Sequence, residues 1–298
     1  MIATTLKKIA IYGRLFGDQH TKDVQLLFDE LEKRKIKVIV FHSFYDFLSD
    51  RIKISENVGQ FITNAEMHNN AECLFSLGGD GTMLDSVTLI ENSKIPILGI
   101  NTGRLGFLST IKMEDIKEAL VMIDEGKYFF EDRILLELTT KPNLFGNRNF
   151  GLNEVVVQKK NTSSMISIHA YINGEFLNTY WADGLIISTP TGSTGYSLSC
   201  GGPIITPGSE NFVITPVAPH NLTSRPFVIS SNDTIKLKVE GRENDFLVSM
   251  DSRMETFDSS LEIEIKKCGF SIRLLNLNNQ TFLSTLSNKM HWGRDHRN

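Results

Sequence analysis

Along the first third of the chain, short all-apolar runs alternate with stretches whose apolar positions recur every three or four residues. Ile9–Tyr12, Val38–Phe41, Cys73–Leu77 and Ile97–Ile100 are short and apolar throughout, as strands buried on both faces are. Between the first two, Val24, Leu27, Phe28 and Leu31 stand at i, i+3, i+4 and i+7 and predict a helix. Residues 82–91 and 114–125 read the same way, and Gly126 ends the second. Strand–helix alternation of this kind predicts a parallel sheet covered on both faces, with ligands at the carboxyl ends of its strands.

After about residue 130 the period drops to two. Ile166, Ile168, Ala170 and Ile172 alternate with polar residues, and Asn173-Gly174 follows as a hairpin turn. Ile235, Leu237 and Val239 alternate likewise, as do Leu261, Ile263 and Ile265. This half predicts antiparallel strands in two packed sheets. Phe282, Leu286 and Met290 return to helical spacing near the end. The expected architecture is a Rossmann-like parallel α/β domain over residues 1–132 and an antiparallel β-sandwich over 133–278. The helix within 279–298 is expected to return to the first domain.

A chain of 298 residues accommodates two such domains. A net charge of −4 without a long basic run argues against nucleic acid as the main partner, though it does not exclude one local pocket for an acidic substrate. Cys73, Cys200 and Cys268 lie far apart with no zinc-type spacing, as expected of reduced thiols. No apolar stretch approaches the ~20 residues of a membrane span, and the N-terminus has no signal-peptide pattern. A cytoplasmic protein is expected.

Four stretches carry candidate chemistry. Gly78-Gly79-Asp80-Gly81-Thr82 follows a strand and opens a helix. Glycines there bring backbone close to a phosphate, Thr82 offers a cap, and Asp80 can take a proton from a hydroxyl or hold Mg²⁺. A tight turn with Asp80 as a local cap is the plainer reading. No Walker A motif is present, since Gly126-Lys127 runs into Tyr128, and no GxGxxG is present either. The second stretch, Ile100–Ser109, follows the next strand. Its Phe107 fits a base-stacking or a core role, and Arg104 fits a phosphate-binding or a surface role. The third is Asn153-Glu154, where an amide can read adenine and a carboxylate can hold ribose hydroxyls, although a solvated strand start has the same residues. The fourth, Tyr180–Ile204, is dense in Thr, Ser, Gly and Pro, which suits sugar hydroxyls and phosphates. It falls short of a serine-hydrolase elbow because Ser199 stands where G-x-S-x-G requires glycine.

In this order the four stretches resemble the NAD kinase family, which phosphorylates the 2′-hydroxyl of the adenosine ribose of NAD to give NADP. GGDGT alone is shared with diacylglycerol and sphingosine kinases. The Asn-Glu pair and the DG…STPTGSTGYS…GGP segment carry the specific likeness. The resemblance implies Asp80 as catalytic base and an ATP site at Gly78, Gly79, Gly81 and Thr82. It further implies an NAD site built from Asp80, Gly81, Phe107, Asn153, Glu154, Trp181, Asp183, Ser193, Thr194, Gly195, Tyr196, Ser197, Ser199 and Arg253. ATP with Mg²⁺ or another divalent cation is the implied donor. A homo-oligomer, dimer or tetramer, is implied as well, with the active site between the two domains and completed by a neighbouring subunit. Gly195, Trp181 and Arg253 depart from the alanine, basic residue and glutamine common at those places. A diacylglycerol-type lipid kinase leaves the Asn-Glu pair and the hydroxyl-rich loop unexplained, and a non-catalytic NAD(P) sensor leaves Asp80 unexplained.

Overall fold

The computed structural model describes residues 6–103, 106–161 and 164–290. The chain forms two compact units, one of Met1–Asp132 with Ile272–Asn298 and one of Arg133–Ser271.

The first unit opens with β1 (Lys8–Gly13), α1 (Thr21–Lys33), β2 (Lys37–Phe41), α2 (His42–Ser49), β3 (Gly59–Phe61) and α3 (Asn64–Asn70). It continues through β4 (Cys73–Leu77), α4 (Asp80–Ile90), β5 (Ile97–Asn101), β6 (Ile111–Lys112) and α5 (Ile116–Asp124). Its strands lie in the order β5-β4-β1-β2-β3, every neighbouring pair parallel. From β1 the chain steps outward to β2 and β3, then crosses back to β4 on the other side of β1. That reversal makes the carboxyl ends of β1 and β4 the topological switch point of the sheet, where open α/β sheets bind ligands. Every residue of β4 and β5 is buried, which explains why these strands read as unbroken apolar runs. Ile9, Ile11, Leu27, Phe75 and Leu98 form the centre of the core. Two short helices escape the periodicity. In α3 only Met67 is buried, so no apolar stripe exists; its sequence signal is the capping box of Thr63 and Glu66.

The second unit contains β7 (Tyr128–Thr139, entered from the first unit), β8 (Phe150–Gly151), β9 (Glu154–Lys159), β10 (Ile166–Ile172), β11 (Glu175–Ala182) and β12 (Gly184–Ser188). The one-turn α6 (Tyr196–Ser199) precedes β13 (Asn211–Val217), β14 (Phe227–Ser230), β15 (Ile235–Glu240), β16 (Asp245–Met250), β17 (Arg253–Asp258) and β18 (Ile263–Leu277). One antiparallel sheet runs β14-β13-β12-β9-β16-β17, and β11-β10-β15-β18 form the other. Val155, Val157, Leu185 and Ile187 from the first meet Ile168, Leu237, Val239 and Ile263 from the second in one core. The alternation of β10 and β15 marks the faces that make this sandwich. Asn173 (φ 52°) and Gly174 (φ 87°) form the hairpin with both central residues left-handed.

The chain re-enters the first unit at Ile272, inside β18 and upstream of the terminal helix α7 (Phe282–Met290) on which the sequence expectation placed the return. There Leu274 pairs in parallel with Ile97 of β5, and Leu275 and Leu277 join the core.

Candidate active site

In the first unit β4 runs into Gly78, whose N–H donates to the Ile100 carbonyl at 2.9 Å and so binds the ends of β4 and β5 together. Its φ of 155°, and a Thr82 hydroxyl only 2.1 Å from where a Cβ would stand, explain the glycine. Gly79 is the N-cap and Asp80 the first residue of α4. Thr82 is therefore not the expected cap. It lies in the first turn, buried beneath Gly78, and its N–H donates to the Gly79 carbonyl. Gly79 and Gly81 face open space at a helix N-terminus whose dipole favours phosphate.

The Asp80 carboxylate accepts three consecutive N–H groups of the next loop: Phe107 on Oδ2 at 2.8 Å, Leu108 and Ser109 on Oδ1 at 3.0 and 3.1 Å. A Cβ on Gly106 would lie 1.8 Å from Oδ1, so the loop closes on the carboxylate only because this residue is glycine. On its other side the loop meets the returning segment. Gln280 donates to the Thr110 carbonyl at 3.1 Å, the Phe282 ring lies 6.4 Å from that of Phe107, and the Lys289 ammonium stands 4.5 Å over the Phe107 ring. Arg104 lies outside the described residues. A cation the sequence reading passed over, Arg14, stands at the end of β1 and pairs with Asp85 of α4 at 2.6 Å.

In the second unit Asn153 and Glu154 lead into β9. Their N–H groups both donate to Asp251 Oδ1, at 2.8 and 3.1 Å, while Leu152 N–H donates to Oδ2 at 2.8 Å. The opposite face of this segment is closed by the hydroxyl-rich loop. Thr189 donates through its hydroxyl to the Leu152 carbonyl and through its N–H to the Asn153 carbonyl. A Cβ on Gly192 would lie 2.1 Å from that same Asn153 oxygen. Two buried side-chain oxygens have no partner among the described residues here, Asn153 Oδ1 and Glu154 Oε2. Burial, with the Asp251 carboxylate next to it, raises the Glu154 carboxyl to about 7, against an N–H bond from Tyr196 that favours ionisation. Burial also raises Asp251, opposed by its three N–H donors and by Arg253.

Much of the hydroxyl density of residues 189–197 builds the loop itself. Ser193 is buried, donating to the Pro190 carbonyl and accepting from Ile205 N–H at 2.9 Å. Ser197 pairs with Thr215 at 2.8 Å, and Thr194 donates to the Thr191 carbonyl. Arg133, itself buried, donates to the Thr191 hydroxyl at 3.2 Å. Tyr196 and Ser199 are exposed. Asp183 pairs with Lys159 at 2.6 Å, and the exposed Trp181 lies 4.4 Å from the His220 ring. Arg253 turns inward, donating to the carbonyls of Arg148 and Phe150. Gly195 sits against Glu154, with an added Cβ falling 3.0 Å from Oε2.

The sequence matches the ATP-NAD kinase N-terminal domain over residues 19–128 and the ATP-NAD kinase C-terminal domain over residues 152–277. The chain belongs to the ATP-NAD kinase family. NAD kinase of Flavobacterium psychrophilum is 47% identical over 98% of this chain and 100% of its own length. That of Bacteroides fragilis is 42% identical over 97% and 99%. Among solved structures of the family, an NAD kinase from Archaeoglobus fulgidus in complex with ATP superposes with a TM-score of 0.72 at 25% identity, covering 95% of this chain and 98% of that one. Yeast NADH kinase complexed with NADH shares the fold, with a TM-score of 0.86 at 23% identity over 99% of this chain and 90% of its own.

Among the described residues no three His, Cys, Asp or Glu side chains converge on one point as a metal cage would. No described helix is long and apolar enough to cross a membrane.

Proposed function

We propose that this chain transfers the γ-phosphoryl group of ATP to the 2′-hydroxyl of the adenosine ribose of NAD, giving NADP, with Asp80 as general base. The observation that carries the assignment is a carboxylate held by three backbone donors beside the switch point of the sheet, at the head of a helix otherwise suited to phosphate. Asp80 accepts the 2′-hydroxyl proton as the ribose oxygen bonds to the γ-phosphorus. The bond from that phosphorus to the β–γ bridging oxygen breaks, and ADP leaves with the bonding pair. The divalent ion belongs to the substrate: Mg²⁺ keeps several waters and binds through phosphate oxygens, so a protein cage of three carboxylates is not required.

The second unit supplies recognition. Asn153 Oδ1, buried and without a partner among the described residues, suits the exocyclic amino group of adenine, and Glu154 Oε2 suits a ribose hydroxyl. Leaving such atoms unpaired costs about 1–3 kcal/mol each, a cost that a bound adenosine would remove. Gly81, Phe107, Trp181, Asp183, Gly195, Tyr196, Ser199 and Arg253 are the remaining contacts assigned to NAD. For Ser193, Ser197 and Thr194, whose hydroxyls are engaged within the protein, the contribution is to loop shape and backbone donors. The protein is assigned to act as a homo-oligomer.

Incubation with Mg²⁺-ATP and either NAD or diacylglycerol tests the reading. NADP is the expected product; its absence, or phosphatidic acid in its place, sinks it. Full activity in Asp80→Asn would remove the base from Asp80.

A further inference from the structure

The carboxylate of Asp251 touches both residues that bear the orphan oxygens, accepting the N–H groups of Asn153 and Glu154. We infer that Asp251 is a positioning residue for the adenosine half of the substrate: by gathering the N–H groups of Leu152, Asn153 and Glu154 it fixes where the two recognition side chains start, and it sets a second carboxyl group against Glu154. The inference rests on the assignment of Asn153 and Glu154 to NAD.

The geometry is that of a clamp with two jaws. Asp251 stands in the turn between β16 and β17 at φ 52°, a left-handed conformation that aspartate tolerates better than most residues. The turn continues the β9–β16 ladder, in which Met250 faces Val155, and carries the side chain past the end of β9. The contact is reciprocal, since Asp251 N–H donates to the Glu154 carbonyl at 3.0 Å. The other jaw is Thr189, hydrogen-bonded to Leu152 and Asn153, with the backbone of Gly192 against Asn153. A carboxylate in this place does more than a strand cap, because it also faces a titrating neighbour. Glu154 meets Asp251 from this turn, Tyr196 from α6 and Cys200 just after it; Asp251 meets Glu154 and, from β17, Arg253. Removing the negative charge of Asp251 while leaving an oxygen acceptor makes Glu154 easier to ionise.

The test uses the full chain with Glu154→Gln, Asp251→Asn and Asp251→Ala, measuring kcat and both KM values between about pH 5.5 and 8.5. Asp251→Ala is expected to raise KM for NAD by about tenfold or more, the size of a lost charge-assisted hydrogen bond, with KM for ATP unchanged. Asp251→Asn is expected to move the midpoint of the NAD KM profile toward acid by about half a pH unit or more, and Glu154→Gln to abolish that midpoint. A midpoint that vanishes in Glu154→Gln but stays put in Asp251→Asn overturns the role of Asp251 alone. No change in NAD binding or its pH profile in Glu154→Gln overturns the assignment of Glu154 and the inference with it. If Asp251→Ala does not fold, the Asp251→Asn profile decides.

Discussion

Two aspartates in this protein each collect three consecutive backbone N–H groups, one per unit, and at both places the acceptor does the work that a longer network would otherwise do. For Asp80 this bears on what substitution removes. Asparagine keeps one oxygen for Leu108 and Ser109 but turns an NH₂ toward the Phe107 N–H. Asp80→Asn is therefore expected to lower kcat by about two to four orders of magnitude, with a smaller rise in KM from the disturbed loop, measured as steady-state NADP formation. Gly106→Ala leaves the carboxylate in the chain but drives a methyl into it, so kcat is expected to fall by about a hundredfold without any change in chemistry.

Glu154 makes stability depend on pH. Its folded value near 7 lies above the ordinary 4.5, so the folded state binds the proton more tightly than the unfolded one. Stability is then lost as pH rises from 4.5 through 7, at up to about 1.4 kcal/mol per pH unit. Glu154→Gln is expected to unfold at a higher temperature than the parent at pH 8 and at the same temperature near pH 4, while binding NAD less well. Thermal melts at the two pH values check it. Asp80 announced itself in the sequence as a charge among glycines. Asp251 did not, because its partners lie 97 to 99 positions away and no local pattern encodes the clamp.

Among the elements, those buried on both faces or on one regular face were legible. β4 coincides with the apolar run that predicted it, and the Asn173-Gly174 turn has the backbone its residues require. What the reading missed were short pieces, α2, whose face rests on Phe44 and Leu48, and α3, where Met67 is the buried residue, and the origin of the helix before Thr82. It also took the serines and threonines of residues 189–197 as ligand groups, when several of them are the loop's own fastenings. Hydroxyl-rich composition cannot separate the two uses, since both need the same donors and acceptors. The terminal helix α7 has a function at this scale, because Phe282 and Lys289 hold the Phe107 ring. Phe282→Ala is expected to cost about 1 kcal/mol of stability, the worth of an aromatic contact, and to raise KM for NAD more than KM for ATP. Denaturant unfolding and the two KM values test this.

For the whole molecule, the two-period pattern of the sequence carried the α/β and sandwich classes because each period matches the way its unit buries its faces. The strand that closes the division was harder to see. β18 serves the sandwich with its first residues and the parallel sheet with its last, and no composition shift marks the change. Assembly is a matter for measurement: light scattering is expected to give at least twice the 33.6 kDa of one chain, and a monomer at working concentration would remove the homo-oligomer from the proposed function.

The discontinuity of the first unit has a consequence for how the protein is made. On the ribosome its first 132 residues emerge early, with β4 and β6 as partners for β5, but Ile97 of β5 waits for Leu274 of β18 until the whole sandwich has been translated. Throughout that interval only Ile100 and Asn101 of this edge are paired, with β6, and the preceding residues from Ile97, all buried in the finished protein, present an open edge of the kind prone to pairing with another nascent chain. The segment that steadies Phe107 comes later still. A product truncated before Gln280 would carry Asp80 and the whole sandwich yet lack the contacts of Gln280, Phe282 and Lys289 that support its loop.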